Sequence, residues 1–179
     1  MKTTIQILSL CSSLLIISCG EKKSTDSASD NTSQTGTDIE SIIVTKEPEA
    51  PQSITEVRKH VEVGKKITLS GKVMGSDSPF VPGRALVMLG DPAVITSCDL
   101  RPGDSCSTPW DVCCDEPEDV KAAIATIQIL DADGKPLKQG IKGVGGIKEL
   151  SNLVVKGIIA EGSNDDNLLV NATAIYVKP

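Results

Sequence analysis

The residues with most chemistry to offer are Cys98, Cys106, Cys113 and Cys114, spaced C-x7-C-x6-C-C. Four such thiols can form two disulfides, hold a metal ion, or carry a reactive thiolate. Adjacent Cα atoms stand about 3.8 Å apart across a trans peptide, whereas disulfide partners usually need roughly 4.4–6.8 Å. A Cys113–Cys114 bond would therefore be strained, and each of the two is expected to reach back to Cys98 or Cys106. Zinc is the competing reading, as is a soft ion such as Cu(I), which tolerates thiolates in irregular geometry. The chain, however, lacks the paired C-x2–4-C knuckles of common zinc sites. Adjacent cysteines in extended backbone also point to opposite faces, so both reach one ion only across a turn. Disulfides are the expectation, and no cofactor is.

A redox thiol fits less well. Asp111, Asp115, Glu116, Glu118 and Asp119 crowd Cys113 and Cys114. Nearby negative charge disfavours a thiolate, and it should outweigh the half-charge of a helix starting at Pro117. These carboxylates read as a solvated acidic loop. Calcium would prefer a D-x-D-x-D-G loop, and the nearest approach, Asp131-Ala132-Asp133-Gly134, reads as a turn. Trp110, the only tryptophan, lies inside the cysteine block. Together with Asp111, Asp115 and Glu116 it makes a candidate partner-contact surface, because loop aromatics often anchor binding.

Little else suggests catalysis. His60 is the single histidine, so any Ser-His-Asp or Cys-His arrangement would have to use it. No H-E-x-x-H, Walker A or G-x-G-x-x-G motif occurs, and Gly143-Val144-Gly145-Gly146 lacks the spacing of a phosphate loop. The chain is expected not to be an enzyme. Its net charge of -6 gives no general attraction for phosphate backbones. Aromatics make up only 2% of it, too few for base stacking. Nucleic-acid binding is thus disfavoured.

The positioning elements begin with an export signal. Lys2 followed by the mostly apolar run from Ile5 to Ile17 reads as a signal peptide over residues 1–18, too short for a comfortable membrane span. Cys11 lies within it. The sequence Ile16-Ile17-Ser18-Cys19-Gly20 resembles the bacterial lipobox. That resemblance implies cleavage before Cys19 and acylation there with diacylglycerol and a palmitate-type chain. Several acyl chains would keep the protein on a membrane. Gly20 in place of Asp is similar to the outer-membrane sorting pattern, which implies a lipid-anchored envelope protein facing the periplasm or the exterior. An oxidising compartment is also what favours disulfides.

Residues 19–52 are expected to be a disordered tether spanning on the order of 30 Å, in which Ile42-Ile43-Val44 is a sticky patch. Ser53-Ile54-Thr55-Glu56 has capping-box spacing and predicts a short helix near 53–61. Ile67, Leu69, Gly71 and Val73 alternate with Lys66, Thr68, Ser70 and Lys72, a strand with one wet face. Further strands are predicted over 84–89, 125–130, 153–159 and 168–177, with one helical turn near 146–150. This order resembles the OB-fold, a five-stranded partly open barrel with a short helix. Residues 53–179 are then an all-β, OB-like domain carrying a Cys-rich inserted loop at 92–122; a β-sandwich is the alternative. Gly71 and Gly157 sit mid-strand, where a small barrel coils tightly.

Cys106-Ser-Thr-Pro-Trp-Asp-Val-Cys-Cys114, with G-I-K-E-L-S-N-L-V-V-K-G downstream, resembles a group of uncharacterised bacterial OB-like lipoproteins carrying C-x-T-P-W-D-x-C-C. The resemblance implies the barrel and brings no activity with it. The expectation is a membrane-anchored, non-catalytic binding domain whose disulfide-stapled loop contacts an envelope protein or a small ligand. Metal binding through the cysteines is the second reading, and nucleic-acid binding by fold analogy the third.

Overall fold

Alternating side chains close the sheet upon itself. In the computed structural model, which describes residues 38–103 and 105–179, five strands form a ring. They are preceded by a two-residue strand, β1 (Gln52–Ser53), and a short helix, α1 (Ile54–Arg58). The ring consists of β2 (Lys66–Val73), β3 (Leu86–Gly90), β4 (Ile124–Gln128), β5 (Asn152–Ile159) and β6 (Leu169–Val177). β2 pairs antiparallel with both β3 and β5, β3 antiparallel with β4, β4 parallel with β6, and β6 antiparallel with β5. This is the OB-like barrel, closed rather than partly open, and not a sandwich. Its thinnest seam joins β2 to β3, through Lys72↔Gly90 and Val73↔Leu89.

The interior is filled as period-2 patterning requires. Ile67 and Leu69 of β2, Val87 and Leu89 of β3, Ala125 and Ile127 of β4, Leu153 and Val155 of β5, and Val170 and Ile175 of β6 make one buried cluster. Two glycines permit the coiling. A Cβ on Gly71 would meet Ile54 Cδ1 at 2.9 Å, and one on Gly157 would meet Asn171 O at 2.5 Å. Gly157 also marks a register shift between β5 and β6, the local irregularity that bends a strand.

Ser53 caps α1 with the expected reciprocal bonds, its hydroxyl accepting from Glu56 N at 3.2 Å while Glu56 accepts from Ser53 N at 3.0 Å. Asp91, at the end of β3, accepts from Thr55 N at 3.0 Å and from the Thr55 hydroxyl, which ties α1 to the barrel. Between β4 and β5 the expected helical turn near 146–150 is instead a 3-10 turn at Val144–Gly146, followed by the fully buried Ile147.

The boundary of the tether needs correction. The tether does not extend to residue 52, because Asp38 caps a 3-10 turn at Ile39–Ile42 and Ile39 is fully buried. Ile43 then bridges to Ile175, with Val44 N donating to Ile175 O at 2.9 Å. Ile42 and Ile43, expected to be a sticky patch, are half-buried and pack against the core that holds Ile39. The signal peptide, Cys19 and the first part of the tether lie outside the described residues.

The 92–122 insertion carries the helix expected at Pro117 and one further turn. A 3-10 turn spans Cys98–Leu100, and a helix, α2 (Pro117–Ala123), leads straight into β4. Met74, Ile95, Val112 and Ala123 form a second small core beneath it, with Trp110, Val120 and Ile124 packed alongside.

Candidate functional site

The insertion folds back along itself. Cys98 N donates to Asp111 O and Asp99 N to Pro109 O, both at 2.9 Å, a short ladder joining the two arms. Asp115 clips them again, accepting from Thr96 N at 2.9 Å and pairing with Arg101 at 2.5 Å. Lys72 fastens the first arm to the barrel wall: its ammonium donates to Ser97 Oγ at 2.8 Å and lies 3.4 Å from Asp99. Sequence reasoning places Lys72 on the wet face of its strand, but it is only 9% exposed because the insertion covers that end of β2.

These clips bring the sulfurs together. Cys113 Sγ stands 3.8 Å from Cys98 Sγ, 3.8 Å from Cys106 Sγ and 3.9 Å from Cys114 Sγ. These are contact distances, well beyond a covalent S–S length of about 2.05 Å, so the expected disulfides are not formed. Cys98 is buried, Cys106 half-buried, and Cys113 and Cys114 exposed. Cys113 and Cys114 sit on a turn closed by Asp115 N donating to Val112 O at 3.0 Å. That turn removes the opposite-face objection to their acting together. Among the described residues, the ligand atoms of Cys98, Cys113 and Cys114 all lie within 4.8 Å of one another, a group able to hold a metal.

The Cys113 thiol is pushed up to about 11, first by the Cys106 thiol beside it and also by Cys114, while Cys98 acts the other way. The direction matches the expectation, but the cause is neighbouring sulfur rather than the acidic loop. Asp115 is engaged by Arg101, and the Asp115 carboxylate in turn raises the Arg101 pKa, with the Cys114 and Cys98 charges adding to it. Asp111 accepts from Val112 N at 2.7 Å, and Glu116 is exposed at the N-cap of α2 without capping it through its side chain. Of the expected contact residues, then, Asp115 and Asp111 help shape the loop, and Glu116 stands in solvent.

Trp110 faces something the sequence did not single out. Its indole Nε1 donates to Asp77 O at 2.9 Å, joining the insertion to the loop after β2. There it lines a groove of about 470 Å³ with Pro79, Phe80, Pro82, Ile141 and Lys142. The Lys142 ammonium lies 5.7 Å from the Phe80 ring centroid and pairs with Glu149. The signal was available in composition, since Phe80 and Trp110 are two of only three aromatics in the chain. A second groove, about 360 Å³, runs between α1 and α2. In it Lys121 pairs with Asp166 at 2.7 Å, and Arg58 donates to the backbone carbonyl of Asp165 at 2.7 Å. His60 is exposed at the end of α1.

No helix among the described residues is long and apolar enough to cross a membrane. Comparison with family models, curated proteins and solved structures finds no match to this chain.

Proposed function

We propose that this chain is a lipid-anchored cell-envelope protein, acylated at Cys19, whose OB-like barrel is a non-catalytic binding module. Its ligand face is the groove between Trp110 and Phe80, and it accepts an apolar or aromatic group from a small molecule or an envelope protein. The observation that carries this reading is the convergence of two of the chain's three aromatics on one groove of about 470 Å³. Binding sites are mostly apolar concavities with a few fixed polar groups. The groove has that make-up, with Lys142 and Glu149 as the polar pair. The absence of a histidine other than His60 supports a binding role over a hydrolytic one. Loop 92–122, held by the hydrogen bonds between its two arms, serves to set Trp110 in place.

Because Trp110 is the only tryptophan, its fluorescence reports on this groove alone. Titration with 8-anilinonaphthalene-1-sulfonate, an aromatic anion suited to Phe80 and Lys142, should quench it saturably. Phe80→Ala should weaken the binding about tenfold, the loss of roughly one aromatic contact. Quenching of equal strength in Phe80→Ala would place the ligand elsewhere.

A further inference from the structure

We infer that Cys98, Cys113 and Cys114, with Cys106 as a fourth ligand, form a thiolate centre for one soft metal ion of the Cu(I) or Zn(II) kind. The inference goes beyond the groove and stands without it. Two disulfides require two separate sulfur pairs, and a cysteine can enter only one. Here Cys113 touches three sulfurs at nearly equal distance, 3.8, 3.8 and 3.9 Å. A single centre accounts for all three contacts at once. With metal–sulfur bonds of about 2.3 Å, neighbouring ligands lie about 3.8 Å apart in a tetrahedron and about 4.0 Å apart in a trigonal plane. The three contacts of Cys113 thus stand at ligand spacing, and Cys98, Cys113 and Cys114 lie within 4.8 Å of one another. Cys106 lies outside that group and joins it by a side-chain movement.

One positive side chain, Arg101, pairs with Asp115, the residue after Cys114. Its Nε is buried and has no hydrogen-bond partner, a donor for which a thiolate is a fitting acceptor. The backbone bond from Cys98 N to Asp111 O and the Asp115 clip fix the two arms that carry the ligands. Outer partners of this type orient ligands in metal sites. Exposure of Cys113 and Cys114 leaves an entry path from solvent, while Cys98 anchors the site from within.

The test uses the full chain, reduced and kept anaerobic, titrated separately with Zn(II) and with Cu(I). Alkylation by iodoacetamide is mapped cysteine by cysteine by mass spectrometry. The centre predicts that one equivalent of at least one of the two ions slows alkylation of Cys98, Cys113 and Cys114 together, by tenfold or more. Cys113→Ser should release Cys98 and Cys114 from that protection. Cys106→Ser, a milder change should the first variant fold poorly, should weaken the metal about tenfold. Naphthalene-probe binding at Trp110 is read in the same samples, so loss of metal binding and loss of the groove are told apart. Three results overturn the centre: no protection by either ion, protection that leaves one of the three cysteines unaffected, or two intact disulfides in protein taken from its native envelope.

Discussion

Lys72 shows how one buried charge organises the insertion. Its ammonium is shared by Ser97 and Asp99, with Ser97 only 1% exposed. Removing a buried donor leaves its acceptors unsatisfied, at about 1–3 kcal/mol. Lys72→Ala is therefore expected to lower stability by that amount in urea denaturation and to speed alkylation of Cys98. An unchanged Cys98 rate would show that Ser97–Asp99 is held by other contacts. Cys113 makes a second residue-scale prediction. With its thiol pushed up to about 11, its alkylation should be slow at neutral pH and climb as pH approaches that value. The sequence reading reached a raised thiol pKa through the carboxylates, but the cause is sulfur contact, which no spacing rule reveals. Lys72 was illegible for a related reason. Alternation marks which face a residue is on, not whether a distant loop covers it.

Among the elements, those with strict periodicity were legible. β2 is found at Lys66–Val73 and the Ser53 capping box at the start of α1, as their patterns predict. Two tests belong here. At Gly157 an added Cβ would press on Asn171 O and Val170 Cγ1, at 2.5 and 2.7 Å. Gly157→Ala should therefore cost about 1–3 kcal/mol, as overpacking does, measured as a lowered denaturation midpoint. Asp91 links α1 to β3. Burial pushes its carboxyl up, but the Thr55 hydroxyl and backbone N–H outweigh burial and hold the pKa below its usual value. Its unfolded form then binds protons more readily than its folded form. Its contribution is present above the ordinary carboxylate range, near pH 4, and is lost as pH falls through the lowered value. The acid limb of the stability–pH profile should be shallower in Asp91→Asn than in the wild type. Equal slopes would remove Asp91 from that role. The insertion and its helix at Pro117 were legible, but its small core was not, because it joins Met74, next to β2, to Ala123 of α2, residues distant in sequence.

For the whole molecule, the OB-like barrel was readable from strand order, while its full closure and its boundary were not. Ile39 sits among Ser, Thr and Asp neighbours whose composition argues for a tether, yet it is fully buried. Composition averages over a window, whereas burial is decided by single side chains. Ile39→Ala should destabilise the domain by about 2–5 kcal/mol, and a midpoint equal to that of the wild type would return residues 38–44 to the tether. The insertion and the loop after β2 meet through the Trp110 indole and Asp77 O, and that junction forms one wall of the groove lined by Trp110 and Phe80. The indole N–H resonance of Trp110, unique in the chain, tests this account most directly. In a nitrogen–proton correlation spectrum of the protein titrated with 8-anilinonaphthalene-1-sulfonate, that peak should shift saturably. The shift should vanish in Phe80→Ala. A fixed indole peak, with shifts confined to residues around Arg58 and Lys121, would contradict it.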